Sequence, residues 1–448
     1  MAKDVINSLK NKYQGKKVLV VGLGLQGGGE GIARFFAELG AKVTVTDKKP
    51  KEKLLPSINR LSDLPIKFRL GEHNIEDFLE ADVIFKGPSV LWSIPEIVKA
   101  QEKGVPVEME LSFFCSNFQG KIIGVTGTRG KSTTTQMIFN LLKLSGFSVF
   151  LGGGLPGIST INYLKTLTKD DWVVMEISSW ALSGFHRKKI SPHIAVFTNI
   201  YPDHLNYYKT MKEYLYDKQA IYLYQSEKDC LITNLEARHR IFSLRKVSSP
   251  SSIIYFSKKD FSYKLKYLKG DHNLENSAAA LKVAGILRID QKKAINIISN
   301  FKGVPYRQEI IKEKDGVTFV NDTTSTTPIA TIKAIDSFKD KKIILILGGN
   351  SKNLPTDYLI KHLIKVDKIV LLAGSFTDQI LDTLRVSVPD KISKKIYSDL
   401  QEAVGEAYRL ARNLDHSCVL FSPGATSFAM FNNEFHRGEE FNRIVEKI

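Results

Sequence analysis

Short apolar runs recur along the chain, each bounded by glycine or polar residues, and helical patterns lie between them. Runs of this kind, rich in β-branched side chains, are typical of buried parallel strands. The predicted strands are Lys17–Val21, Lys42–Thr46, Ala81–Phe85, Lys121–Thr126, Trp172–Ile177, His193–Thr198, Lys342–Leu347, Lys368–Ala373 and Ser417–Phe421. The predicted helices include Gly31–Leu39, Ser132–Ser145, Leu274–Leu287 and Leu400–Leu410. This alternation predicts an α/β protein with doubly wound sheets.

The predicted strands fall into three groups along the chain. The first group ends with Phe114–Gln119, and glycine and proline interrupt the pattern again at Phe301–Tyr306. We therefore expect three domains, covering residues 1–118, 119–303 and 304–448. The length of 448 residues agrees with this division at ~150 residues per domain.

Composition narrows the class of protein. Hydrophobic residues make up 43% of the chain and charged residues 25%, which excludes a disordered, collagen-like or mainly membrane-embedded protein. The 64 Lys and Arg exceed the 47 Asp and Glu, a surplus compatible with anionic partners or with an ordinary lysine-rich surface. Three distant cysteines and a polar N-terminal segment without an apolar core lead us to expect a cytoplasmic protein.

A glycine-rich turn follows the first predicted strand, in the sequence Gly22-Leu-Gly24-Leu-Gln-Gly27. The next strand ends at Asp47, 20 residues after Gly27, as in Rossmann-type nucleotide sites. Glycines allow the backbone to approach a diphosphate, and the carboxylate can accept a hydrogen bond from a ribose. The alternative is a glycine turn that serves only packing, and the pattern does not by itself specify NAD.

A second glycine-rich turn, Gly127-Thr-Arg-Gly130-Lys131-Ser132-Thr133, follows strand Lys121–Thr126 and resembles a phosphate-binding P-loop. Backbone amides would hold the phosphates of ATP, Lys131 would neutralise their charge, and the Ser132 hydroxyl would ligate Mg²⁺. Val125 stands where the strict pattern has glycine. A dehydrogenase needs only the first turn, and a P-loop motor needs only the second.

The second turn is similar to the TGTxGK[ST] loop of the Mur ligases, the ATP-dependent amide ligases of peptidoglycan precursor synthesis. The resemblance continues in order through Met175–Trp180, Thr198–Leu205, Lys218, Gly270–Asn276, Pro305–Glu309 and Asn321-Asp322. The first turn, Gly87-Pro88-Ser89 and the blocks Gly348–Lys352 and Ser422–Phe428 resemble members that add glutamate to UDP-N-acetylmuramoyl-L-alanine. The resemblance implies a Rossmann-like N-terminal domain that binds the UDP substrate, a central P-loop ATPase domain and a Rossmann-like C-terminal domain that binds the amino acid.

The resemblance also implies a role for each matching residue. ATP would be bound by Gly127, Thr128, Gly130, Lys131, Ser132, Thr133, His272, Asn273, Asn276, Arg307 and Asp322. Two Mg²⁺ ions would be held by Ser132, Glu176, His204 and a carbamylated Lys218, and the catalytic residues would be Lys131, Glu176, His204 and Lys218. The UDP substrate would contact Gly24, Leu25, Gln26, Asp47, Lys48, Pro88, Ser89 and Ser178. Glutamate would contact Thr326, Lys352, Ser427 and Phe428.

Several positions depart from the family pattern around the amino-acid site. Thr324 replaces a lysine, Glu434 replaces an aromatic residue, and Trp180-Ala181 replaces Phe-Gln. Ser178–Phe185 and Thr198–Tyr208 resemble a branch of the family that adds L-glutamate, and the missing lysine at Thr324 fits a re-oriented carboxylate, so the resemblance favours L-glutamate slightly over D-glutamate. We expect an acyl-phosphate intermediate, a monomer, and no nucleic-acid or membrane partner. The alternatives are another amide ligase of the folylpolyglutamate type, an NAD-dependent oxidoreductase, and a basic nucleic-acid-binding P-loop ATPase.

Overall fold

The computed structural model describes residues 2–25, 27–154, 157–201, 203, 207–244, 252–268, 270–352, 354–427, 431 and 433–448, with the backbone alone at 242–244. The chain divides into two compact units. The first unit comprises residues 1–265 and 270–299, and the second comprises residues 266–269 and 300–448. Two sheets lie in the first unit and one in the second, and the predicted α/β class is confirmed.

The first sheet of unit 1 is entirely parallel and has the order β3-β2-β1-β4-β5. Its strands are β1 (Lys17–Val21), β2 (Lys42–Asp47), β3 (Lys67–Leu70), β4 (Val83–Lys86) and β5 (Val107–Glu108). The helices of this region are α1 (Ala2–Tyr13), α2 (Gly28–Glu38), α3 (Leu55–Asn59), α4 (Ile75–Leu79), α5 (Pro95–Glu102) and α6 (Glu110–Asn117). The order reverses beside β1, so the glycine turn after β1 lies at the topological switch point, where α/β sheets bind ligands.

The second sheet of unit 1 is also parallel, with the order β11-β10-β9-β6-β8-β7. Its strands are β6 (Lys121–Thr126), β7 (Val149–Gly153), β8 (Trp172–Glu176), β9 (Ile194–Phe197), β10 (Cys230–Asn234) and β11 (Ser252–Phe256). Its helices are α7 (Lys131–Leu144), α8 (Ser179–Lys188), α9 (Met211–Gln219), α10 (Leu235–Leu244), α11 (Asp271–Ile286) and α12 (Gln291–Ser299). Central β6 is apolar and buried from Ile122 onward, as expected of a strand covered on both faces.

The sheet of unit 2 has the order β12-β13-β17-β14-β15-β16. Its strands are β12 (Glu309–Lys314), β13 (Val317–Asn321), β14 (Lys342–Gly348), β15 (Lys368–Leu372), β16 (Ile392–Tyr397) and β17 (Ser417–Phe421). Its helices are α13 (Pro328–Ser337), α14 (Asp357–His362), α15 (Ser375–Ser387), α16 (Leu400–Ala411) and α17 (Glu434–Lys447). Of the strand pairs described in this sheet, β12–β13 is antiparallel and the others are parallel.

Two further expectations from the sequence can be compared with the structure. Cys115, Cys230 and Cys418 all lie among the described residues and form no disulfide bond, in agreement with the absence of any cysteine pair in the sequence. Among the described helices none is long and apolar enough to cross a membrane. The domain limits at residues 118 and 303 stay predictions.

Candidate active site

The loop between β6 and α7 has the backbone geometry of a phosphate cradle. Gly127 and Gly130 adopt φ values of 149° and 80°, which favour glycine. A Cβ atom on Gly127 would lie 2.0 Å from Thr198 Oγ1, and one on Gly130 would lie 2.5 Å from Asn276 Oδ1. Both glycines are therefore required, and the first amides of the 14-residue helix α7 are oriented to bind an anion.

Thr198 and Asn199, which directly follow β9, hold this loop through hydrogen bonds to its backbone. The Arg129 amide donates to Asn199 Oδ1 (2.8 Å), and the Arg129 carbonyl accepts from Asn199 Nδ2 (3.1 Å) and Thr198 Oγ1 (2.6 Å). These bonds use only the backbone of Arg129, so they do not depend on the identity of its side chain. The sequence indicated this block only through the family resemblance and did not reveal its supporting role.

Glu176 ends β8 and lies in register with Val125 on the neighbouring strand β6. Its Oε2 atom is buried and has no hydrogen-bond partner within the described ranges. A buried carboxylate oxygen without a donor fits a hard cation such as Mg²⁺, and Ser132 in the first turn of α7 offers a hydroxyl oxygen. Among the described residues no group of three or more His, Cys, Asp or Glu forms a complete metal site. The predicted ligand His204 lies outside the described residues.

Lys218 in α9 is almost completely buried, at 1% exposure, beneath the same loop. Its ammonium group donates to the Gly127 carbonyl (2.8 Å) and lies 4.9 Å from the centre of the Tyr214 ring. Burial, followed by the charge of Lys131, lowers the pKa of Lys218 well below its ordinary value, although Asp203 and other nearby carboxylates oppose the shift. A lowered pKa increases the fraction of the lysine that carries a neutral, nucleophilic amine, which is the form that reacts with CO₂ to give a carbamate.

Three predicted ATP contacts at the beginning of α11 lie beside the loop between β6 and α7. Asn276 Oδ1 accepts a hydrogen bond from Thr134 in α7 (3.1 Å), and Asn276 Nδ2 donates to Asn273 Oδ1 (3.2 Å). His272 Nε2 is 3.2 Å from Asn273 Nδ2, and burial lowers the pKa of this histidine, which favours its neutral form. The structure thus brings together in unit 1 the predicted residues of the loop, Glu176, Lys218 and the start of α11.

The glycine turn after β1 is held by Asp47 at the end of β2. Asp47 Oδ2 accepts from the amides of Leu23 (3.0 Å) and Gly24 (3.3 Å), and the Ser57 hydroxyl donates to the Gly24 carbonyl (2.9 Å). In this structure Asp47 therefore fixes the turn itself, while its predicted contact with a ribose stays a prediction. Leu25 and Lys48 lie at the same edge of the first sheet, and Gln26 is outside the described residues.

Two other predicted UDP-substrate segments lie in unit 1. Pro88 and Ser89 form the turn after β4, and Ser178 precedes α8. The Ser178 hydroxyl accepts from the Ala181 amide (3.2 Å), so in this structure it caps the helix.

In unit 2, Asp322 follows β13 and is buried. Its carboxylate accepts from the Gln308 amide (3.1 Å) and the Ser422 hydroxyl (2.7 Å), and burial raises its pKa to about 6 despite these bonds and nearby Arg307. Asp322 therefore joins the segment around Arg307 to the end of β17. The predicted contact of Arg307 and Asp322 with ATP stays a prediction.

Three of the predicted amino-acid contacts, Thr326, Lys352 and Ser427, lie on neighbouring segments of unit 2, where a β-bridge joins Asn350 to Thr426. Lys352 Nζ donates to Thr326 Oγ1 (2.8 Å), and partial burial lowers the Lys352 pKa although Glu434 opposes the shift. Ser427 is 3% exposed, and its hydroxyl has no hydrogen-bond partner in the described part of the chain. An unpaired buried hydroxyl near a lysine suits a ligand carboxylate. Phe428 lies outside the described residues.

Arg437 in α17, which the sequence analysis did not single out, holds two of these neighbouring segments together. The side chain is 1% exposed, and its guanidinium donates to Thr323 Oγ1 (2.9 Å), the Thr323 carbonyl (2.8 Å) and the Ala425 carbonyl (3.2 Å). It thereby ties the segment after β13 to the segment that leads to Ser427. An arginine in a helix is ordinarily solvated, so nothing in the local sequence indicated this role.

Family models match the chain in three successive regions. They are described as "Mur ligase MurD-like, N-terminal domain" (residues 16–108), "Mur ligase middle domain" (125–277) and "Mur ligase, glutamate ligase domain" (306–424). The chain is 36% identical to a UDP-N-acetylmuramoylalanine--D-glutamate ligase of Roseiflexus sp. (strain RS-1), over 96% of this chain and 98% of the relative. It is 34% identical to the protein of the same name from Acetivibrio thermocellus, over 99% of each.

Solved structures of two ligases from Thermotoga maritima share the fold. The UDP-N-acetylmuramate-alanine ligase MurC matches with a TM-score of 0.57 at 20% identity, over 96% of this chain and 99% of that one. The MurF ligase in complex with ADP matches with a TM-score of 0.53 at 20% identity, over 98% and 97%. These matches confirm the predicted three-domain α/β architecture. With three matching models and full-length relatives above 30% identity, the chain belongs to the Mur ligase family.

Proposed function

We propose that this protein is an ATP-dependent ligase that joins glutamate to UDP-N-acetylmuramoyl-L-alanine during peptidoglycan precursor synthesis. The observation that carries the proposal is the cluster at the β6–α7 loop. There a buried Glu176 carboxylate oxygen without a hydrogen-bond partner among the described residues and the buried Lys218 amine lie next to backbone suited to binding phosphate. The names of the curated relatives support the choice of substrates. The expected setting is the cytoplasm, and the expected working form is a monomer.

The chemistry follows from the poor reactivity of a carboxylate toward an amine. Transfer of the γ-phosphoryl group of ATP to the carboxylate of the UDP substrate gives an acyl phosphate and leaves ADP. The glutamate amine then attacks the acyl carbon, loses a proton and releases phosphate. The α7 amides and Lys131 would bind the ATP phosphates and offset the charge that develops during transfer. Bound Mg²⁺ would add positive charge at the same oxygens, held by Ser132, Glu176 and a carbamylated Lys218.

Carbamylation would convert Lys218 into an anionic group that can bind a metal ion. A buried ammonium group would repel a metal ion, whereas a carbamate offers two anionic oxygens. The lowered pKa of Lys218 supports this proposal, because the neutral amine is the reactive form.

The incoming amino acid would bind in unit 2 through Lys352, Thr326 and Ser427. A lysine and two hydroxyls are donors suited to carboxylates. The preference for L-glutamate rests on Thr324, whose hydroxyl donates to the Tyr306 carbonyl (2.9 Å) where the family pattern has a lysine. The names of the relatives specify D-glutamate, so the two enantiomers are the decisive comparison.

The test is phosphate release from ATP in the presence of UDP-N-acetylmuramoyl-L-alanine and a panel of D- and L-amino acids. We expect release only when the UDP substrate and a glutamate enantiomer are both present. Release that depends on DNA instead of the UDP substrate would refute the proposal. Turnover with D-glutamate and none with L-glutamate would refute the L preference alone.

A further inference from the structure

Two basic side chains and one hydroxyl converge on the indole ring of Trp92 in unit 1. The Lys86 Nζ atom lies 4.4 Å from the ring centre, and the Arg187 guanidinium carbon lies 3.8 Å from it. The indole Nε1 donates to the Ser183 hydroxyl at 2.8 Å. Cations attract the face of an indole, and the Nε1 bond fixes the rotation of the ring, so Trp92 is held in one orientation.

One side of this arrangement is the turn that follows β4. Lys86 ends β4 and is 1% exposed, and its ammonium donates to the carbonyls of Val90 (2.8 Å) and Gly87 (3.4 Å). These two bonds close the turn that contains Pro88 and Ser89. Since Trp92 covers the Lys86 ammonium, the position of the indole determines where the turn is held.

The other side is helix α8. Ser183 and Arg187 are four residues apart, so they lie on one face of the helix. The helix begins directly after Ser178, whose hydroxyl caps it. Trp92 therefore connects the Gly87–Val90 turn of the first sheet with a helix of the second sheet.

We infer that Trp92 is a positioning residue for the UDP substrate, because it fixes the separation between the Gly87–Val90 turn and the beginning of α8. This inference rests on the proposed function, in which Pro88 and Ser89 on one side and Ser178 on the other contact that substrate. Trp92 itself makes no contact with the reacting atoms. Its influence therefore falls on binding of the UDP substrate and not on ATP or glutamate.

The experiment compares steady-state kinetics of Trp92→Ala and Trp92→Phe with those of the wild type. Trp92→Ala should raise KM for the UDP substrate about tenfold, equivalent to about 1.4 kcal/mol, with kcat and KM for ATP and glutamate within about twofold. Trp92→Phe keeps a ring and loses the Nε1 donor, so its rise in KM should be smaller. Ser183→Ala removes the acceptor of that bond and also its own bond to the Trp180 carbonyl (2.6 Å), so its rise should be at least as large as that of Trp92→Phe. The double variant should raise KM no further than Ser183→Ala alone, because both changes remove the bond between Trp92 and Ser183.

Two more variants keep the inference falsifiable if Trp92→Ala folds poorly. Arg187→Ala alters an exposed side chain and should also raise KM for the UDP substrate. Trp172→Phe is the matched control, because Trp172 packs against Phe147 at the start of β8. This change should leave KM for the UDP substrate unchanged.

The outcomes separate this inference from the proposed function. A wild type that releases no phosphate with the UDP substrate overturns the proposed function, and the inference falls with it. An active wild type whose KM for the UDP substrate is unchanged in Trp92→Ala and Arg187→Ala overturns the inference alone. Equal rises in KM for ATP and for the UDP substrate also overturn it, since they indicate a general loss of structure.

Discussion

Replacing Lys86 with methionine should raise the free energy of unfolding, and the gain should be larger at pH 6 than at pH 9. The fold buries this side chain at the end of β4. Burial, reinforced by Arg187, lowers the Lys86 pKa from 10.5 to about 7, although Asp217 opposes the shift. Methionine keeps the apolar stem and removes the group that must lose its hydration.

The size of the gain in the free energy of unfolding, and the direction in which it changes with pH, follow from proton binding at Lys86. Between pH 7 and 10.5 the unfolded chain keeps the Lys86 proton and the folded chain releases it, so raising the pH stabilises the folded wild type. Below pH 7 both states are protonated and the cost is constant, at about 5 kcal/mol for a pKa about 3.5 below its usual value. At pH 9 about 2 kcal/mol of that cost remains. Methionine also loses the bonds to Val90 and Gly87, a pH-independent loss of about 1 kcal/mol.

Urea unfolding followed by tryptophan emission measures the difference at pH 6 and pH 9. The advantage of Lys86→Met over the wild type should shrink by about 3 kcal/mol between these two pH values. Lys103→Met is the control, because exposed Lys103 also donates to a backbone carbonyl, that of Leu79 at 3.0 Å, without being buried. If the wild type and Lys86→Met change in parallel with pH, the burial argument for Lys86 is refuted.

Four further substitutions test the site. Glu176→Gln should raise the Mg²⁺ concentration required for half-maximal phosphate release about 10–100-fold, and an unchanged Mg²⁺ titration would exclude Glu176 as a ligand. Lys218→Met should abolish phosphate release, and removal of CO₂ and bicarbonate should reversibly lower wild-type activity; a wild type indifferent to CO₂ would contradict carbamylation. Ser427→Ala should raise KM for glutamate about tenfold with KM for ATP unchanged, because a carboxylate would lose one hydrogen bond. Arg437→Lys cannot make the paired bonds to Thr323 and should lower the free energy of unfolding by about 3 kcal/mol in urea titrations; an unchanged midpoint would show that these bonds contribute little.

The strands that the sequence predicted are the central ones, and those it missed are mostly at the edges. Val18–Val21 and Ile122–Thr126 are buried on both faces, so their composition alone reveals them. Edge strand β3 alternates exposed and half-buried positions, and β16 contains Ser393-Lys394-Lys395. Such strands acquire their structure from pairing with a neighbour, which a local pattern does not record.

The candidate site shows a similar division. The two glycine turns were predictable, because positive φ angles and close backbone approaches require glycine at fixed places. The contacts that shape them were not: Asp47 binds the amides of the first turn, and Asn199 supports the second from 70 residues away. Hydrogen bonds between distant segments depend on the order of the strands in each sheet. A local sequence pattern does not contain that order.

The sequence by itself determined the α/β class, the two glycine-rich turns and the family. These features depend on local backbone geometry and on apolar runs, which can be recognised in a short stretch of sequence without knowing its neighbours in the fold. The tertiary structure decided the chemical state of individual side chains, including the lowered pKa of Lys218 and Lys86 and the unpaired oxygen of Glu176. The reason is that desolvation depends on which residues from other strands and helices surround a group, and those neighbours are assembled only by the fold.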